Sequence, residues 1–314
     1  MKTPPVALAQ TRRVRIVRSD AVQRLLAFGA LIVIIIVFSL ASPNFLQFDN
    51  VVGILLATTV NGILALGVTF VIITGGIDLS IGTVMTLSAV MTGTFATVWH
   101  LPLPLAVVAG LATGALAGLV NGMLIAKLKI PSFIATLGML NVAKGLALVI
   151  SGLKPIYFND TPEFNRAAMG SVVGSAVPGL DIPNITIVFL LAAIVASLVL
   201  SKTILGQYTF ALGSNEEAAR LSGVSVDRWK IAVYTVCGLF SGLAGVLIAA
   251  RLNSAQPSLG QGYELDAIAA AVIGVRRFPA ARVRSWVPPS ARSSSAPSRT
   301  GYASCRCRRS GRPS

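Results

Sequence analysis

Residues Gly213-Ser214-Asn215-Glu216-Glu217-Ala218-Ala219-Arg220-Leu221-Ser222-Gly223 assemble the parts of a short polar helix between two long apolar segments. Ser214 stands three residues before Glu217, the spacing of a capping box in which each side chain satisfies an orphan amide. Glu216 and Glu217 fall at the positive end of the helix dipole and Arg220 near its negative end. Gly223 supplies a left-handed stop. The pattern predicts a helix over 214–222, about two turns long, with Ala218, Leu221 and Ser222 on one face. A helix this short is marginal alone, so its chemistry is that of a surface another body covers. A capped connector with no partner is the plain alternative.

A second candidate is Gly75-Gly76-Ile77-Asp78-Leu79-Ser80-Ile81-Gly82. The glycine pair breaks helical continuity at low steric cost, and Ser80 and Gly82 keep the approach of neighbouring backbone tight. Asp78 has two readings of equal standing: a carboxylate on a water-lined path, or an N-cap held by helix amides. Polar residues inside apolar runs form a third group: Asn61, Thr69, Asn121, Asn141 and Lys144. Amides and hydroxyls suit a path for a hydroxyl-rich solute, yet the same groups also join membrane helices to one another. Lys144 is the costliest and must snorkel or pair.

Other chemistries lack their residues. No G-x-x-x-x-G-K-[ST] phosphate loop is present, so ATP hydrolysis is not expected of this chain, and no cofactor is expected in it. The glycine-rich strings lie in apolar runs rather than after a strand, which excludes a dinucleotide fold. His100 beside Trp99 reads as interfacial, and Cys237, Cys305 and Cys307 make neither a disulfide framework nor a metal site.

The elements that carry these residues are membrane helices. Hydrophobic residues make up 54% of the chain and charged ones 12%, against about 25% charged in soluble proteins. Apolar runs near 22–42, 51–73, 81–99, 103–126, 132–152, 184–202 and 231–250 are each long enough to cross a bilayer. They lack the alternation of barrel strands, so the fold class is all-α, a polytopic helical membrane protein of about seven spans. Ser39-Leu40-Ala41 has cleavage-like spacing, but the long basic lead and long apolar run mark a retained helix. With the N-terminus inside, the inner segments hold Lys2, Arg12, Arg13, Arg15, Arg18, Arg24, Lys127, Lys129, Lys202, Arg220, Arg228 and Lys230. The outer segments up to Arg251 hold only Lys154, Arg166 and Arg251. That asymmetry predicts a basic cytoplasmic tail over 1–21 and places 214–222 in the cytoplasm. Gly114, Gly118 and Gly122, and likewise Gly238, Gly242 and Gly245, mark faces where helix backbones approach closely, within the chain or between two copies.

The string GSNEEAARLSGV resembles the cytoplasmic coupling segment of sugar-type ABC importer permeases, the family of the ribose transporter's membrane subunit. Three further strings resemble the same family in the same order. They are the Gly75–Gly82 string, Ile130-Pro131-Ser132-Phe133-Ile134-Ala135-Thr136-Leu137-Gly138, and Gly262-Tyr263-Glu264-Leu265-Asp266-Ala267-Ile268-Ala269-Ala270. The resemblance covers roughly 22–274 and implies a permease domain over 22–275 in the bacterial inner membrane. It implies inward transport of a sugar, a monosaccharide above all, by alternating access. The implied partners are separate ATPase subunits docked on residues 214–223, a periplasmic sugar-binding protein at outer loops 153–183 and 251–266, and a second permease chain. No nucleic-acid partner is implied. A branched-chain amino-acid permease would share the architecture. A secondary transporter would show repeats and ion-coupling carboxylates, and a membrane docking protein would also explain the polar helix.

From Arg276 onward the character changes. The last 39 residues hold ten arginines, nine serines and five prolines with no Lys, Asp, Glu, Leu or Ile. They supply ten of the fifteen net positive charges. Such composition reads as an out-of-frame translation of GC-rich DNA that replaces the family's final spans. A genuine basic tail for anionic lipid or nucleic acid is the alternative.

Overall fold

Prolines start three of the long helices: Pro102, Pro131 and Pro183 each take an extended conformation immediately before the first helical residue. Their rings hold φ near the value a helix entry needs and remove a donor that would have no partner there. The computed structural model describes residues 20–176 and 181–275 of the 314. In chain order it contains α1 (Asp20–Ala41), α2 (Phe48–Ile73), α3 (Ile81–Gly93, continued by a π turn over Thr94–Val98), α4 (Leu103–Ala126), α5 (Ser132–Ile150) and β1 (Ile156–Tyr157). Then follow α6 (Pro162–Met169), α7 (Val172–Ala176), α8 (Asn184–Lys202), α9 (Ile204–Ser214), α10 (Glu216–Leu221), α11 (Val226–Leu252), β2 (Ser254–Ala255) and α12 (Tyr263–Val275).

Six helices, 18 to 27 residues long, are apolar enough to span a bilayer: α2, α3 with its π turn, α4, α5, α8 and α11. α1, the seventh expected span, is 22 residues long and apolar over Gly29–Ala41. The protein is therefore an all-α, multi-pass membrane protein. The basic tail over 1–21 lies almost wholly, and the arginine-rich segment 276–314 entirely, outside the described residues.

α3 is the innermost helix. All but one of its residues from Ile81 to Gly93 are buried, and its threonines return their hydroxyls to their own backbone, as Thr92 does to the Ser88 carbonyl at 2.8 Å. α4 and α11 pack on each other through Gly114, Gly118 and Gly122 and through Gly238 and Gly242, while Gly245 packs on α3 at Met85. A Cβ on Gly114 would meet the Gly238 carbonyl and the Gly242 backbone, and one on Gly118 would meet the Tyr234 carbonyl. The close approach expected from these glycines is thus made inside one chain. The faces are already occupied, so they are not free to join two copies.

Two expectations about boundaries need correction. The last long helix starts at Val226 rather than near 231, so Asp227, Arg228 and Lys230 ride on the helix itself. Residues 204–213, left without an element by the apolar runs, form α9 together with Ser214, and the N-cap Thr203 accepts a hydrogen bond from the Gly206 amide at 3.4 Å. At the opposite end of the bundle, β1 and β2 pair antiparallel with Ile156 opposite Ala255. This joins the two loops expected on the outside.

Candidate functional site

Asn215 divides α9 from α10. Its φ of −161° and ψ of 106° break the helix, and its side chain accepts from the Ala218 amide at 3.0 Å. The cap of the polar helix is therefore Asn215, not Ser214, which is the last residue of α9. Glu217 consequently occupies the second helical position, one short of where a capping box needs it. Helix α10 spans Glu216–Leu221, shorter than the expected 214–222. Gly223 supplies the left-handed stop with φ +84°, donating its amide to the Arg220 carbonyl at 3.0 Å.

Beneath α10 lies a small apolar cluster separate from the main core. Ala219 packs with Leu212 of α9 and Val226 of α11, flanked by Val224 and Trp229, and Trp229 rests on Tyr208 with ring centroids 4.7 Å apart. The outer face presents Glu217, Ala218, Leu221 and Ser222. Leu221 is 85% exposed, an apolar side chain at the tip of an otherwise polar helix.

Ion pairs fasten this helix at its base. Glu216 receives the Lys230 ammonium at 2.7 Å and the Arg220 guanidinium at 3.5 Å. Lys129, in the α4–α5 link with φ +56°, reaches Asp227 at 2.7 Å, and Arg220 lies 4.0 Å from the same carboxylate.

Next to these pairs runs the Gly75–Gly82 string. Gly75 takes φ +79°, which favours glycine, and the position of a Gly76 Cβ is taken by the Tyr234 hydroxyl. Asp78 is 2% exposed. One carboxylate oxygen accepts from the Ser80 amide at 2.9 Å and the Ser80 hydroxyl at 2.7 Å. Ser80 in turn accepts from the Asn121 amide of α4 at 3.0 Å. Asp78 therefore locks the turn before α3, whose N-cap is Ser80. Burial pushes its carboxyl above the ordinary range, while the Ser80 hydroxyl and amide pull the other way. Ser132 accepts from the Ile77 amide at 3.3 Å, and the backbone of Gly82 abuts Gly260.

Residues 50–287 match the family described as "Branched-chain amino acid transport system / permease component". The ribose import permease protein RbsC of Haemophilus influenzae is 41% identical over 251 residues, 79% of this chain and 75% of its own. RbsC of Bacillus subtilis is 40% identical over 266 residues, 84% of this chain and 80% of its own. The L-arabinose ABC transporter permease protein AraH of Azospirillum brasilense is 34% identical over 275 residues, 87% and 77% of the two chains. No solved structure matches.

This chain belongs to the ABC-importer permease family. It is a transporter subunit rather than an enzyme.

The permease does not gather its polar span residues into one place. Asn121 sits with Ser80 and Asp78. Thr69 bonds its own helix at the Ala65 carbonyl, 2.6 Å. Asn61 on α2 has a buried amide oxygen without a partner among the described residues. Asn141 is exposed and bonds its own Leu137 carbonyl at 3.0 Å, with half-buried Lys144 three residues further along α5. Around Asn141 the α5 surface is open: a Cβ on Gly138 or Gly145 would touch nothing. The residues that sequence reasoning missed are Lys129, Asp227 and Lys230. Their only trace was charge beside the ends of apolar runs, in Ala126-Lys127-Leu128-Lys129 and Val226-Asp227-Arg228-Trp229-Lys230.

Proposed function

We propose that this permease carries a monosaccharide, a pentose first among them, into the cell. The observation that carries the substrate class is the set of three relatives, two named for ribose and one for L-arabinose, aligned over about three quarters or more of both chains. In this reading α10 faces the cytoplasm, as the Lys and Arg asymmetry requires with the N-terminus inside, and receives the ATPase. Exposed Leu221 supports that role, because an apolar side chain on a polar, self-supported helix gains from being covered. The β1–β2 end then faces outward toward the sugar-binding protein. A second permease copy packs toward the α5 surface, where Asn141 and Lys144 would be costly against lipid.

The test is uptake in membrane vesicles containing the permease, its ATPase and its binding protein. ATP-driven accumulation of labelled ribose or arabinose, with none of leucine, is expected. Leucine accumulation without sugar uptake would move the chain to the branched-chain amino-acid substrates in the family's description.

A further inference from the structure

We propose that the Lys129–Asp227 ion pair is a clasp that holds the unit carrying α10 to the α4–α5 link beside the Gly75–Gly76 turn and opens during each transport cycle. This rests on the importer reading, because it supplies the joint through which motion of the unit carrying α10 reaches the α4–α5 link.

Four observations converge on it. The Lys129–Asp227 pair closes at 2.7 Å across 98 residues, while Glu216–Lys230, also at 2.7 Å, ties α10 to α11 within the unit. Lys129 holds an unfavourable left-handed backbone conformation at the point where it makes its bond. A Cβ on Gly213, at the end of α9, would strike the Ile73 carbonyl, so the unit that carries the polar helix lies directly on the last turn of α2. Between these contacts the packing is open: a cavity of about 290 Å³ is lined by Gly75, Gly76, Lys129, Glu216, Lys230 and Tyr234, among others.

Close-packed interiors resist displacement; an unfilled space lined by Lys129, Glu216 and Lys230 gives the unit room to shift once Lys129 and Asp227 part. Lys129 and Asp227 are 57% and 49% exposed, so water stands ready to solvate both groups when they separate. An exposed pair of this kind is weak on balance and parts at little cost. The small cluster of Leu212, Ala219 and Val226 keeps α9, α10 and the start of α11 together as one unit. The clasp thus lies between that unit and the α4–α5 link, and α10 alone does not hinge.

The test uses the full chain with its ATPase and binding protein in membrane vesicles. Lys129→Cys and Asp227→Cys are combined in a background with Cys237→Ala, Cys305→Ala and Cys307→Ala, and a short thiol cross-linker is applied without nucleotide and after vanadate trapping. The cross-link yield is expected to fall about tenfold in the trapped state, a shift typical of coupling between sites. Equal yields in both states, with the ATPase bound, would overturn the clasp alone. Failure of the unmodified chain to bind any ATPase would overturn the importer reading and the clasp with it. Should the cysteine pair not accumulate, Lys129→Asp and Asp227→Lys are tested singly and together. Each single change is expected to cut ATP-driven uptake, and the exchanged pair to restore it. An exchanged pair no better than the singles would refute the clasp.

Discussion

Leu221→Ala separates docking from folding. The side chain is 85% exposed, so truncating it removes almost no contact from the permease itself, and stability should change by no more than about 0.5 kcal/mol. Covering a leucine completely contributes about 1.5–3 kcal/mol. Alanine retains roughly a third of that apolar area, so the loss on docking is about 1–2 kcal/mol, or about 5- to 30-fold in the dissociation constant. The assay titrates labelled ATPase onto the permease in nanodiscs and records the melting temperature of each variant beside it. The combined Glu217→Ala and Arg220→Ala change is less clean, because Arg220 also contacts Glu216 and Asp227 within the chain. An affinity for Leu221→Ala within about twofold of wild type, or a clear drop in melting temperature, would refute the argument, since the first denies docking and the second denies exposure.

Three further outcomes follow from the geometry. Asn215→Ala should cost about 1 kcal/mol of local helix stability, read as faster amide exchange across α10, whereas Ser214→Ala leaves that exchange unchanged. Gly118→Val places a side chain on the Tyr234 carbonyl and should cost about 3 kcal/mol or more through overpacking, seen as loss of folded protein from the membrane; Gly138→Val, with nothing near it, should accumulate normally. Asp78 binds its proton more tightly when folded than at its ordinary value of 3.8, so its contribution to stability is greatest below that value and is lost as pH rises through the folded one. Asp78→Asn keeps an oxygen for Ser80 and removes the titration, so wild type should lose melting temperature relative to this variant as pH rises above 3.8.

The long helices were legible because bilayer thickness sets both the length and the composition of a span. The glycine faces were legible as close approaches, but spacing along one helix does not name the helix opposite. Only the fold shows that Gly114 and Gly118 meet Gly238. The polar helix was recognisable by composition, yet Ser214 and Asn215 are both good N-caps. Which of them acts depends on where α9 ends, and α9 is short, of mixed polarity and without a span's signature. Asp78 was read as path or cap; its Ser80 bonds make it the lock of a turn. The Lys129–Asp227 pair could not be read at all, because its partners are 98 residues apart and meet only when α4 and α11 pack.

Placing a photo-reactive amino acid at position 221, with position 157 on β1 as the control, tests the central claim most directly. Irradiation of the assembled transporter should join position 221, and not 157, to the ATPase subunit. Labelling of the ATPase from 157, or none from 221 in a complex that contains it, would contradict α10 as the docking element.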